Sequence, residues 1–107
     1  ALRQVLTGWG CEVVVARTGD EAAAVLADAA AEIWLFDYHL DDGDTGVAVA
    51  QRLMARFGAV PCLILSADQT AVVRHAVNEA DLPLLAKPVR PLALKSVLDR
   101  LLAARTL

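Results

Sequence analysis

Short apolar runs alternate with amphipathic helical stretches along almost the whole chain, and this alternation constrains the fold more than any other feature. Four runs read as strands: Glu12–Ala16 (EVVVA), Ile33–Phe36 (IWLF), Pro61–Leu65 (PCLIL) and Leu82–Ala86 (LPLLA). Strands that are apolar almost throughout, instead of alternating with polar residues, suit a sheet covered on both faces. Between them lie segments with apolar residues at helical spacing. Ala1–Leu6 carries Leu2, Val5 and Leu6 and is ended by Gly8-Trp9-Gly10. A capping box, Thr18 with Glu21 three positions on, opens a helix that buries Ala22, Val25, Leu26 and Ala29. Gly46–Phe57 aligns Ala50, Leu53, Met54 and Phe57, and a helix from about Gln69 to Glu79 aligns Val72, Val73, Ala76, Val77 and Ala80. In the last helix Pro91 sits near the first turn, where its missing N–H costs little, and Leu94, Val97, Leu98, Leu101 and Leu102 face inward.

The resulting order, α-β-α-β-α-β-α-β-α, predicts an α/β fold with a doubly wound parallel sheet and right-handed crossovers. A length of 107 residues, without linker or repeat, predicts one domain spanning 1–107. At 57% apolar residues the chain buries enough surface to exclude disorder. No apolar stretch approaches the roughly 18 residues of a membrane span. A net charge of −3 gives no general attraction to nucleic acid or anionic lipid. Cys11 and Cys62 make neither a disulfide framework nor a zinc pattern, and each reads as a small core residue. No leader is visible, so the expected location is the cytoplasm.

Ligands of open parallel α/β sheets bind at the carboxyl ends of the strands. The residues that end the strands are therefore the informative ones. Asp37 follows IWLF, Ser66 follows PCLIL and Lys87 follows LPLLA. Alone, each has an ordinary reading: Asp37 as a turn or cap, Ser66 or Asp68 as the N-cap of the next helix, Lys87 as a solvated surface residue. Together they bring a nucleophilic carboxylate, a hydroxyl and an ammonium to one edge of one sheet, a set suited to accepting and holding a phosphoryl group.

The segments IWLFDYHLDDGDTG, LILSAD and LLAKPVRP resemble the receiver domain of two-component response regulators, over essentially the whole chain. The resemblance implies a flavodoxin-like receiver fold with strand order 2-1-3-4-5. It implies that Asp37 is the phospho-acceptor, with Ser66-Ala67 and Lys87-Pro88 as the hydroxyl and lysine motifs. Asp37 would take its phosphoryl group from a phosphohistidine on a histidine kinase or histidine phosphotransfer domain, with Mg²⁺ (or Mn²⁺) bridging the oxygens. Ser66 and Lys87 would each bind a phosphoryl oxygen, and the resulting pull would switch the domain between two states. The Lys87–Pro88 peptide is expected to be cis. The backbone carbonyl of His39 is the expected further metal ligand, and the His39 and Asp68 side chains are expected to tune phosphoryl lifetime. The domain would be a signalling module, not an enzyme, with no direct contact to nucleic acid or membrane, and a homodimer is compatible with it.

Two departures stand out. Receivers bring two acidic residues at the end of a first strand for the metal, and the first strand is absent here. The domain is therefore expected to be N-terminally incomplete, since Asp41, Asp42 and Asp44 lie beyond the acceptor and read as turn and cap residues. The switch position, three residues before the lysine, holds Leu84 where many receivers carry Tyr or Phe. LPLLAKPVRPLALKSVL most resembles receivers attached to hybrid sensor histidine kinases. The competing readings are a pseudo-receiver used only for protein contact and a haloacid dehalogenase-type phosphatase. The latter wants a second Asp two residues past the nucleophile, where this chain has His39.

Overall fold

In the computed structural model, which describes residues 2–68 and 70–105, three parallel strands form one sheet in the order β1-β2-β3: β1 Trp34–Asp37, β2 Cys62–Ser66 and β3 Leu84–Ala86. The register pairs Asp37 with Leu65 and Ser66 with Ala86, so the carboxyl ends of all three strands lie along one edge. Five helices surround the sheet: α1 Leu2–Gly8, α2 Gly19–Asp28, α3 Gly46–Phe57, α4 Ala71–Glu79 and α5 Pro91–Arg105. The predicted α/β fold with a parallel sheet is present.

Each strand divides its side chains between two cores, as the two-residue period of a strand dictates. On one face Trp34, Cys62 and Ile64 pack with Ala22 of α2, Val49, Ala50 and Leu53 of α3, and Val73 and Val77 of α4. On the other, Leu63 and Leu65 meet Leu6 of α1 and Leu94 and Leu98 of α5. All five residues of β2 are buried, which explains why PCLIL carries no polar alternation. Helices therefore cover both faces, as a doubly wound sheet requires.

The helix ends follow local chemistry. Thr18 accepts a hydrogen bond from the Glu21 N–H at 3.2 Å, while the Glu21 carboxylate reaches back to the N–H of Arg17 at 2.7 Å. The capping box is thus present, shifted by one residue on its return arm. Thr45 caps α3 through the Ala48 N–H. Thr70 caps α4 through the Val73 N–H, so the cap is neither Ser66 nor Asp68. The predicted start at Gln69 lies outside the described residues, as does Ala1. At the end of α4, Asp81 takes the left-handed conformation at φ 58°. There the Leu82 N–H returns to the Val77 carbonyl, a Schellman closure in which Asp replaces the usual Gly.

The remaining differences are specific. Residues 12–16 form no strand in the described sheet, and Val14 and Val15 are 65% and 60% exposed. In the 2-1-3-4-5 order this segment pairs only with a first strand, so the sheet of β1, β2 and β3 offers it no ladder. It is still attached at both faces, with Val13 against the α1/α5 core and Ala16 against the α2–α4 core. Val72 is exposed, although it stands one residue from Val73 in the apolar stripe. A helix of nine residues buries only the positions nearest its contact line, here Val73 and Val77. Ala29 is an exposed C-cap and does not belong to the buried face of α2. Cys62 is a core residue, whereas Cys11 is exposed because it follows the Trp9–Gly10 turn, outside both cores.

Candidate functional site

β1 ends in Asp37, and the residues after it hold the carboxylate at the sheet edge. The Tyr38 N–H continues the ladder to the Leu65 carbonyl at 2.8 Å, and the Gly46 N–H donates to the Tyr38 carbonyl at 2.7 Å. This second bond draws the start of α3 directly over the end of β1. A Cβ on residue 46 would collide with the Asp37 carbonyl oxygen and crowd the Phe36 Cβ, so only glycine permits the approach. The sequence pattern marks Gly46 as a helix start without revealing this role. The signal available was a Gly directly after an N-cap threonine.

The Lys87 N–H pairs with the Ser66 carbonyl at 3.0 Å, extending the β2–β3 ladder by one residue. The Lys87–Pro88 peptide bond is cis. From this position the Lys87 Nζ lies 2.8 Å from the Asp37 Oδ1, an ion pair that spans the edge from β3 to β1 above β2. The Asp37 side chain is half exposed, so the carboxylate is open to an incoming group.

Ser66 differs in being buried at 3% exposure. Its Oγ accepts from the Asp68 N–H at 3.0 Å and donates to the Asp68 carbonyl at 3.1 Å, which folds residues 66–68 into a tight turn. Ala67, at the apex, is exposed. Asp68 leads the chain into α4, with its Oδ1 accepting from the Thr70 N–H at 3.0 Å. Its Oδ2 stands 3.5 Å from the Nε2 of His39, linking the two loops that flank Asp37. The Thr70 N–H is the main reason the Asp68 carboxyl is held below the usual carboxylate range. Leu84, half-buried in β3, packs against the α2–α4 core.

Binding of Mg²⁺ or Mn²⁺ would require several oxygens around Asp37. The antiparallel bridge between His39 and Thr45 is closed by Gly46 with Tyr38 and by Leu40 with Asp44. His39 is thus the non-bonded member of the bridge, and its carbonyl is not used by it. Asp44 points away towards α3, where it pairs with Arg52 at 2.7 Å and accepts from the Thr45 N–H. No group of three or more His, Cys, Asp or Glu side chains with metal-binding geometry occurs among the described residues. Asp37 and the His39 carbonyl supply one carboxylate and one carbonyl oxygen, and waters and phosphoryl oxygens would have to complete the octahedral set around Mg²⁺. These two groups alone do not close a site for the ion.

Comparison with known proteins extends this geometry. A family model described as the response regulator receiver domain matches residues 1–99. The transcriptional regulatory protein ZraR of Salmonella typhimurium is 31% identical over 105 residues, covering 95% of this chain and 23% of that protein. The chain thus spans about a quarter of the curated relatives it matches. The signal receiver domain of a modulated diguanylate cyclase from Desulfovibrio desulfuricans G20 superposes with a TM-score of 0.86 at 26% identity, covering 98% of this chain and 84% of that one. A CheY-like receiver domain protein from Methanospirillum hungatei JF-1 shares the fold, with a TM-score of 0.85 at 21% identity over 97% of this chain and 83% of that one. No described helix is long and apolar enough to cross a membrane.

Proposed function

Because this chain belongs to the response regulator receiver domain family, we propose that Asp37 accepts a phosphoryl group from a phosphohistidine and that the domain relays it as a conformational signal. The observation that carries this reading is the 2.8 Å contact between the Lys87 Nζ and the Asp37 Oδ1. A carboxylate repels an incoming phosphoryl group, and an ammonium beside it cancels that repulsion where charge develops. Lys87 engages Oδ1, so Oδ2 attacks the phosphorus in line. The phosphorus–nitrogen bond to the donor imidazole breaks as the oxygen–phosphorus bond forms. The imidazole leaves with the electron pair and regains a proton from solvent.

The product carries more negative charge than the carboxylate, and the nearby donors respond to it. Lys87 stays with the phosphoryl oxygens. The Ser66 hydroxyl exchanges its bond to the Asp68 carbonyl for one to a phosphoryl oxygen, which opens the 66–68 turn and shifts the start of α4. The His39 and Asp68 side chains, on either side of Asp37, govern water access to the phosphoryl group and hence its lifetime. With Leu84 at the switch position, the readout passes through the turn at residues 66–68 and not through rotation of a ring.

The partner is a histidine kinase or histidine phosphotransfer domain. The likeness of residues 82–98 to receivers of hybrid kinases supports a place in a phosphorelay. Identity to a transcriptional regulatory protein favours a second reading, in which the same receiver controls an attached regulatory module. The test is transfer from a phosphorylated histidine phosphotransfer domain to the chain and to its Asp37→Asn variant. Label appearing on the chain and absent from the variant supports the reading. Equal labelling of both, or of neither, overturns it.

A further inference from the structure

The loop after Asp37 is held from outside the site, by Arg52 in the middle of α3. The Arg52 guanidinium lies 2.7 Å from the Asp44 Oδ2, while the Asp44 Oδ1 accepts the Thr45 N–H at 2.9 Å. The backbone of Asp44 carries this closure into the loop. Its carbonyl accepts from the Leu40 N–H at 3.0 Å, and its N–H donates to the Asp42 Oδ1 at 3.2 Å. The Gly43 N–H returns to the Leu40 carbonyl, and the Gly46 N–H to that of Tyr38. Residues 38–46 thus form a ring of short bonds with Asp44 as its clasp, and the His39–Thr45 bridge lies within it. From this ring the His39 imidazole stands edge-on to Tyr38 at 4.9 Å and faces the Asp68 carboxylate at 3.5 Å. Helix α2 supports the arginine from the other side. Gly19, its buried first residue, leaves room for the guanidinium, since a Cβ there would stand 3.0 Å from the Arg52 Nη2 and 3.0 Å from a Val49 methyl. Asp44 first, and then Asp20 and Asp42, favour the charged form of Arg52.

We propose that Arg52 is a positioning residue for the chemistry at Asp37: through Asp44 it fixes the loop that sets His39 against Asp68, and so it governs how long the phosphoryl group survives. The proposal rests on the reading of Asp37 as acceptor. Uptake depends on the Lys87–Asp37 pair, which reaches the site from β3. Loss depends on water passing His39 and Asp68, and that is the side Arg52 holds. An exposed ion pair adds little to global stability, so the effect of Arg52 is local to the loop.

Arg52→Met removes the charge from a side chain of similar reach, and Arg52→Lys keeps it. After transfer from a phosphorylated histidine phosphotransfer domain, Arg52→Met is expected to lose its label about three- to tenfold faster than wild type, with the rate of uptake unchanged. Arg52→Lys is expected to recover most of the lifetime. Equal lifetimes in wild type and Arg52→Met, or uptake and loss changing together, overturn the proposal. A second measurement needs no phosphoryl group. At one fixed pH the His39 ring resonances of Arg52→Met should move towards those of Asp68→Asn, in which the charge pair is broken. Arg52→Lys should stay near wild type, and the His75 ring serves as the internal reference. A His39 ring that is the same in wild type and Arg52→Met overturns the proposal. A wild-type chain that takes no label overturns the acceptor reading instead, and the ring resonances then decide by themselves whether Arg52 holds His39.

Discussion

The Lys87 ammonium and the Asp37 carboxylate meet at 2.8 Å across the carboxyl edge of the sheet, although they come from strands that do not touch each other. β2 lies between them, and its last residue, Ser66, accepts the Lys87 N–H that sets the lysine in place. Exposed ion pairs of this kind contribute little to stability, about 0–1 kcal/mol. Lys87→Ala is therefore expected to leave the urea midpoint almost unchanged while slowing phosphoryl uptake at Asp37 by about a hundredfold, the usual cost of losing one charge-stabilising donor. Denaturation and transfer kinetics on the same preparation check both halves.

Gly46 makes the opposite prediction, in which the fold suffers. The Cβ of a Gly46→Ala variant meets the Asp37 carbonyl oxygen and the Phe36 Cβ, two atoms that cannot swing aside. A loss of about 1–3 kcal/mol is expected from such overpacking, read from urea denaturation. A variant as stable as wild type would show that α3 does not rest on the end of β1 as described.

The two cysteines should separate by reactivity. Cys62 is buried in β2, and burial pushes its thiol up to about 12. It therefore stays protonated and sheltered, while Cys11 is exposed. A thiol reagent at neutral pH is expected to label Cys11 at once and Cys62 only at the rate of unfolding. Intact-mass measurement after brief labelling should find one modified thiol, and rapid modification of both would contradict the packing of β2.

Acid stability carries a sign that can be worked out. The Asp44 carboxyl is held below the usual carboxylate range, first by its hydrogen bond to Arg52 and then by the Thr45 N–H. A depressed folded-state value contributes stability that is complete above the unfolded-state value, about 3.9, and is lost as pH falls through the folded one. Asp44→Asn is expected to lower stability near neutrality and to flatten its decline below about pH 4. Urea midpoints between about pH 5 and pH 2.5 test this, and parallel profiles for variant and wild type would contradict it.

Much of this arrangement was legible in the residues because strand ends are marked by abrupt changes of polarity. Asp37, Ser66 and Lys87 each stop an apolar run, and a parallel sheet carries all three ends to one edge. Helix α3 was readable to the residue because Thr45 and Gly58 punctuate it and its apolar stripe is long. Segment 12–16 misled because a β-branched run states a preference, whereas a strand also needs a partner. Val72 misled because periodicity names a face without saying how wide the contact is. The pairing of His39 with Asp68 was out of reach of pattern reading, since it depends on two loops that converge only in three dimensions.

The central claim is that Asp37 is the phospho-acceptor, and trapping the acyl phosphate tests it most directly. Brief exposure to a phosphohistidine donor, followed by borohydride reduction, converts a phosphorylated aspartate to homoserine, which peptide mass spectrometry locates. The account predicts homoserine at position 37 in the wild-type chain and none in a sample untreated with donor. Conversion at Asp41, Asp42 or Asp44 with Asp37 intact, or no conversion with a donor that labels another receiver, would contradict it.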